Sequence, residues 1–216
     1  MTTTGIVGPH DHHERVRPML PIPGRLPQGP EWRYEVSWDG MRVLAEVTGG
    51  TLRLTSRTGR DVTTHFPEFS GLVDLVGDGL FDGEVILLDA GLPSSVALAD
   101  RVRVTRSRRP ARISQQMCQH RAAVLMAFDV LRLYGVPLLH RPLDERRATL
   151  ERVGLERVDG GAARCLALSP VYDDGRALLS ATRTQRLEGV VAKRRDAPYR
   201  PGVRDPSWVK VVHEHG

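Results

Sequence analysis

Lysine is almost missing from this chain. Of its 31 lysine and arginine residues only two are lysines, Lys193 and Lys210. Arginine serves most surface-cation roles, whereas a compact, rotatable ammonium can approach a phosphate closely or lose its proton. A sequence that writes its positive charge as arginine and keeps lysine twice points to chemistry at both. Cysteine is equally scarce: Cys118 and Cys165 are the two present, and their spacing is not that of metal ligands. That argues against a disulfide framework and a structural zinc site. No apolar run approaches the length that crosses a bilayer, and MTTTGIVGPHDHHERVRP at the start lacks the apolar stretch of a signal peptide. The expectation is a cytoplasmic protein that uses no membrane. There is no internal repeat.

What is present fits a folded domain. The 216 residues are enough for one buried core, with 40% hydrophobic and 26% charged residues. A formal net charge of +5 favours a polyanionic partner. Charge is concentrated between Arg101 and Ala127, where Arg101, Arg103, Arg106, Arg108, Arg109, Arg112 and Arg121 meet no acidic residue. This stretch suits a phosphate backbone and equally suits a solvated basic loop.

Hydrophobic patterning gives strands at 33–36, 42–47 and 52–55, the last two joined by a turn at Gly49 and Gly50. Further strands are expected at 80–88, 123–130, 166–172, 189–194 and 207–212. Short helices are expected at 66–76 and 96–102, an exposed one over Leu143–Val153, and one capped by Asp174 running to about Leu187. The Pro- and Gly-rich stretch 18–30 reads as irregular. Early hairpins without a βαβ repeat favour an α+β fold with antiparallel sheets and flanking helices. Residues 1–17 read as a mobile tail whose His/Asp cluster, His10, Asp11, His12 and His13, makes only a weak metal candidate. A domain over 18–212 and a short tail at 213–216 complete the expected organisation.

Five segments carry the chemistry: YEVSWDGMR from Tyr34, FDGEVILLD from Phe81, AFDVLRLYG around Phe128, EGVVAKRRDAPYRPG from Glu188 and WVKVV from Trp208. PML at Pro18, SRTGRD at Ser56 and PLDERR at Pro142 accompany them. In this order and spacing the chain resembles the adenylation domain of ATP-dependent DNA ligases, in particular the bacterial type linked to end joining, over about residues 18–212. The resemblance implies the ligase nucleotidyltransferase fold, which is ATP-grasp-like, with ATP and Mg²⁺ as cofactors and DNA ends or nicked DNA as partner. Other end-joining or repair proteins, and a nucleoid association when DNA is bound, follow from the same resemblance. By position, Glu35, Arg42, Arg57, Glu84, Phe128, Lys193 and Lys210 would contact the nucleotide, with Phe128 stacking on adenine. Glu84 and Glu188 would serve the metal, since carboxylates suit a hard cation. Lys193 and Lys210 would both lie beside the α-phosphate, where negative charge builds in the transition state. Arg101, Arg103, Arg106, Arg108, Arg109 and Arg112 are the candidate DNA contacts.

Strand parity constrains this set. Trp208, Lys210 and Val212 share one face of a regular strand. Glu188 and Lys193 are five residues apart, so both reach one site only if Glu188 precedes the regular strand or a bulge intervenes.

The chain departs from the family pattern where its reaction begins. The segment EVSWDG carries Ser37 where these ligases have the lysine that attacks ATP. A serine hydroxyl needs a base to become a nucleophile, and Asp39, two residues on, is the next carboxylate along the chain. Val212 replaces a second lysine, and the chain stops soon after, which leads to the expectation that no OB-fold domain follows. The resulting expectation is a ligase-like domain that binds ATP or AMP and DNA ends in repair or recombination but does not adenylate itself, a pseudoenzyme for that step. A component that seals already adenylated nicks with a partner, or a non-catalytic nucleic-acid-binding protein, are the alternatives.

Overall fold

The computed structural model describes residues 16–105, 122–155 and 165–213. Two sheets dominate. The first runs in the order β1 (Leu20–Pro23), β13 (Arg204–Val212), β12 (Gly189–Arg194), β2 (Trp32–Ser37) and β11 (Val171–Tyr172). The second runs β10 (Leu166–Leu168), β8 (Val124–Leu133), β5 (Gly79–Ile86), β3 (Met41–Thr48) and β4 (Thr51–Ser56), with β9 (Val136–Pro137) beside β8. A small ribbon pairs β6 (Leu88–Asp89) with β7 (Leu92–Pro93). Pairing is antiparallel except at β1–β13 and β10–β8. The helices are α1 (Leu72–Leu75), α2 (Ser95–Thr105), α3 (Leu143–Val153) and α4 (Gly175–Thr184). The expected α+β class with antiparallel sheets and flanking helices is what the chain adopts.

Each sheet has a dry outer face. Behind the second, alternate residues Val43, Ala45, Val47, Phe81, Val85 and Leu125 bury against Phe66, Phe69 and Leu72. Behind the first, Tyr34, Val36, Val190, Ala192 and Val209 pack on Leu178 of α4. Asp174 caps α4 by accepting from the Ala177 amide at 2.9 Å, as expected from the sequence. Between the sheets lies a third cluster: Met19, Leu44, Leu80, Phe128, Leu131, Tyr199 and Trp208. Phe128 and Leu131 both join it because β8 bulges twice against β5. Asp82 pairs Asp129 and Gly83 pairs Ala127, which leaves Phe128 unopposed, and Leu131 is skipped in the same way. Bulges reset the alternation, so two residues three apart can face the same side.

Four expectations need correction. Residues 20–23, read as irregular, form β1, because a proline-containing segment can still pair at a sheet edge. Residues 66–76 are two short 3₁₀ or α turns, Pro67–Gly71 and Leu72–Leu75, not one helix. The strand expected at 166–172 is split: β10 joins the second sheet and β11 the first, with Pro170 between them. The helix at Leu143–Val153 has the expected bounds but is not an exposed one, since Arg146 and Arg147 are buried with Leu143 and Leu150.

Candidate functional site

The register of β2, β12 and β13 decides which side chains meet. Ser37 lies opposite Gly189, which lies opposite Val212; Glu35 opposes Val191, which opposes Lys210; Lys193 opposes Trp208. Opposed residues and those two apart share a face. Glu35, Ser37, Val191, Lys193, Trp208, Lys210 and Val212 therefore project together, away from the α4 face. The second sheet meets them with Arg42 of β3, Glu84 of β5 and Phe128 of β8. These residues line a cavity of about 300 Å³, with Arg57, just past β4, also in its wall. A hollow of about 450 Å³ adjoins it, lined by Asp39, Arg42, Ser56, Arg57, Thr58, Arg60, Glu84, Glu188 and Lys210 among others.

Glu188 solves the parity problem by standing one residue before β12. Gly189 makes the step possible: its φ is +153°, and a Cβ there would lie 2.0 Å from the Val211 carbonyl oxygen. At the cavity mouth the Ser37 hydroxyl donates to Glu188 Oε2 at 2.8 Å, while Lys210 Nζ donates to Glu188 Oε1 at 2.7 Å. Asp39, two residues along the chain from Ser37, instead accepts from the Ser95 amide at 3.1 Å. The group that touches Ser37 is thus 151 residues away in sequence.

Lys193 occupies a different place. Its ammonium donates to Glu35 Oε1 at 2.8 Å and lies 4.1 Å from the Phe128 ring centroid and 4.5 Å from that of Trp208. Burial pushes this ammonium below the usual lysine range, against the pull of Glu35. The sequence put both lysines at one phosphate. The structure lines one cavity with both and gives them different partners, Glu35 under two aromatic rings for Lys193 and Glu188 at the mouth for Lys210. Phe128 is itself buried and carries the Arg42 guanidinium carbon 4.3 Å from its centroid. A base that stacks on this ring shares it with the two cations or displaces one of them.

Two acidic residues missed in the sequence organise the second sheet's wall. Asp82 is fully buried and takes Arg42 as a fork, Nε to Oδ1 at 2.5 Å and Nη2 to Oδ2 at 2.7 Å. Burial works against the Arg42 charge, and Asp82 more than offsets it, raising the guanidinium pKa. Asp129, beside Phe128, takes Arg146 of α3 in a second fork, both bonds 2.8 Å. A signal for Asp82 was available: it stands two residues from Glu84 on one strand and so shares its face.

Glu84 is the one cavity carboxylate that accepts no hydrogen bond among the described residues. Burial pushes its carboxyl up to about 7, with Arg42 pulling the other way. For a divalent cation this gives one uncommitted carboxylate, Glu84, and one, Glu188, already held by Ser37 and Lys210. No cluster of three or more His, Cys, Asp or Glu suited to a metal occurs among the described residues. Such a donor set fits Mg²⁺, which commonly takes one or two carboxylates and completes its shell with water and phosphate oxygens.

The basic stretch fares unevenly. Arg101 is buried in α2 and pairs with Glu68 at 2.7 Å, their side chains 0% and 3% exposed. It is a core ion pair and does not face a phosphate backbone, which corrects its assignment as a DNA contact. Arg103 is exposed and pairs with Asp100 one turn back. Arg106, Arg108, Arg109 and Arg112 lie outside the described residues, as do the histidines of the N-terminal segment. No described helix is long and apolar enough to cross a membrane.

Residues 18–211 match the family model described as ATP dependent DNA ligase domain. The multifunctional non-homologous end joining DNA repair protein LigD of Mycobacterium tuberculosis is 34% identical over 205 residues, covering 93% of this chain and 24% of LigD. A probable DNA ligase of Rhodococcus jostii is 33% identical over 212 residues, 93% of this chain and 39% of that protein. The chain thus spans about a quarter to two fifths of these relatives. Among solved structures, mycobacterial DNA ligase D complexed with ATP and MES superposes with a TM-score of 0.72 at 33% identity, covering 92% of this chain and 60% of that one. With a family match over nearly its whole described length and a fold shared with a relative one third identical, the chain belongs to the ATP-dependent DNA ligase domain family.

Proposed function

We propose that this domain binds ATP or AMP in the cleft between its sheets and receives DNA ends at the adjoining hollow, in end joining or a related repair process, without forming a covalent enzyme–AMP. The observation that carries the reading is the Ser37–Glu188–Lys210 chain at the mouth. The cavity keeps cations, carboxylates and an aromatic ring suited to an adenine nucleotide, yet the group at the attacking position is a hydroxyl. That hydroxyl donates to Glu188, whose other oxygen is held by the Lys210 ammonium. A lone carboxylate is too weak a base to take a serine proton by itself, so this hydroxyl stays a hydrogen-bond donor and is not an activated nucleophile.

The division of the lysines suggests a division of labour. Glu35, Lys193, Phe128 and Trp208 form the enclosed end, suited to a flat base with polar edges. Lys210, Arg57 and the free corner of Arg42 stand toward the mouth, suited to ribose and phosphate oxygens. Mg²⁺ would be held by Glu84, with Glu188 as the second carboxylate, and would supply charge neutralisation for the phosphates.

With Mg²⁺ and α-labelled ATP the expected result is no label on the protein, and Ser37→Lys is expected to acquire one. A stable label on the wild-type chain would overturn the reading. AMP at millimolar concentration is expected to raise Tm, as any ligand specific for the folded state does. A second reading, sealing of an already adenylated 5′ end, rests on Arg57: it is exposed at the shared wall of the two cavities and has no acidic partner among the described residues. Joining of a pre-adenylated nick by the wild-type chain, lost in Arg57→Ala, is its test.

A further inference from the structure

The turn between β12 and β13 carries a residue that neither the sequence reading nor the family assignment gives a role. Tyr199 is buried, and its hydroxyl works in both directions. It donates to Asp82 Oδ2 at 2.5 Å and accepts from the Met19 amide at 2.8 Å. Asp82 Oδ2 is also the oxygen that accepts Arg42 Nη2. The Met19 carbonyl is a further acceptor for Arg42 Nη2, at 3.4 Å. Both hydrogen bonds of one phenol therefore converge on the Arg42 guanidinium by separate routes.

The turn that presents Tyr199 is itself held. Arg146 Nη1 donates to the Ala197 carbonyl at 3.0 Å, the Tyr199 amide donates to the Leu139 carbonyl at 2.8 Å, and the Tyr199 ring stands edge-on to Trp208. Arg42 is left with one nitrogen, Nη1, that bonds no described residue, and its side chain lines both cavities. The direction in which Nη1 points depends on the plane of the fork, and the fork depends on the rotation of the Asp82 carboxylate. A carboxylate held by Arg42 alone can turn about its last bond. One held from a third side cannot do so without breaking a buried hydrogen bond.

We propose that Tyr199 is a positioning residue for nucleotide binding, which fixes the Asp82 carboxylate and through it the plane in which Arg42 presents Nη1 to the ligand. The proposal rests on the reading of the cleft as a nucleotide site. It also gives the APYRPG turn a purpose beyond joining two strands, since the turn ties the sheet carrying Lys193 and Lys210 to the arginine of the opposite wall.

A double-mutant cycle read by AMP titration in a calorimeter tests it. Tyr199→Phe is expected to weaken AMP binding about five- to twentyfold, the usual range for a coupled network contact. Arg42→Lys, which keeps a charge beside Asp82 but not the fork, is expected to weaken it at least as much. In the double variant the loss is expected to equal that of Arg42→Lys alone, because Tyr199 no longer has a fork to hold. Independent, multiplying losses would overturn the proposal, and so would unchanged affinity in Tyr199→Phe. Leu178→Ala, in the outer cluster behind the first sheet, controls for general loosening: it lowers Tm and is expected to leave AMP affinity within twofold. An equal loss of affinity there would also overturn the proposal. Should Tyr199→Phe not fold, Asp82→Asn replaces it, since the amide offers one acceptor in place of two. Its affinity is expected to fall similarly, and an unchanged value sinks the idea. Absence of AMP binding by the wild type would strike the nucleotide reading instead.

Discussion

The cleft contains two lysine–glutamate pairs of nearly equal length in very different surroundings. Lys193–Glu35 spans 2.8 Å with side chains 3% and 4% exposed; Lys210–Glu188 spans 2.7 Å with side chains 34% and 28% exposed. In the enclosed pair the two charges compensate each other's loss of water, so each is committed to the other. In the mouth pair water remains, screening is strong, and either partner can exchange its contact for a phosphate or a metal at little cost. The same two residue types thus form a fixture in one place and an exchangeable contact in the other. Distance does not separate the cases; access to solvent does.

The largest effect should come from breaking the enclosed pair. Glu35→Gln leaves the Lys193 ammonium buried between aromatic rings with no counter-charge, a loss of about 3–5 kcal/mol. At this chain length that corresponds to a Tm lower by roughly 10 °C. The defect should shrink as pH rises. Lys193 already has a folded pKa below its unfolded one, so the unfolded chain binds more protons and stability grows with pH. Loss of Glu35 widens that gap. Thermal melts at pH 7 and pH 9.5 check both points; a pH-independent defect would mean that packing, not charge, was lost.

Glu188→Gln offers the matching case at the mouth. Its cost to stability should stay below about 1 kcal/mol, as for other pairs in contact with water. The Mg²⁺-dependent part of ATP binding should nevertheless weaken severalfold, since the amide is a poorer ligand for a hard cation. If this variant lost as much Tm as Glu35→Gln, the contrast between the pairs would collapse.

Local pattern made much of this molecule legible. Alternating apolar residues gave β2, β3, β4, β12 and the C-terminal half of β13 closely, because each has one dry face and one more polar face. The Gly49–Gly50 turn was readable since both residues need positive φ, observed at 57° and 71°. What stayed hidden depends on partners distant in sequence. Arg146 reads as a solvated helix charge until Asp129 is seen beneath it, 17 residues back. Arg101 reads as part of a basic loop until Glu68 is found 33 residues away. For Ser37, proximity in the chain suggested Asp39, while folding delivered Glu188. The segment 166–172 failed for another reason: a run of strand-forming residues does not reveal that its halves belong to different sheets.

Glu84 sharpens the comparison most finely, since it lies between the two regimes, near Arg42 and Lys210 but hydrogen-bonded to neither. Burial lifts its carboxyl to about 7, so near neutrality a substantial share of it is protonated. The sign of the consequence is fixed. A carboxyl with a raised folded pKa favours the protonated fold, so its ionisation between the unfolded value and about 7 costs stability as pH rises. Mg²⁺ needs the ionised form, and binding it recovers that cost. The increase in Tm that Mg²⁺ adds to the ATP effect should therefore be severalfold greater at pH 8 than at pH 6. In Glu84→Gln, which cannot ionise, the increment should be small and equal at both. A wild-type increment independent of pH would place the metal on Glu188 alone and return Glu84 to the role of a buried, neutral wall.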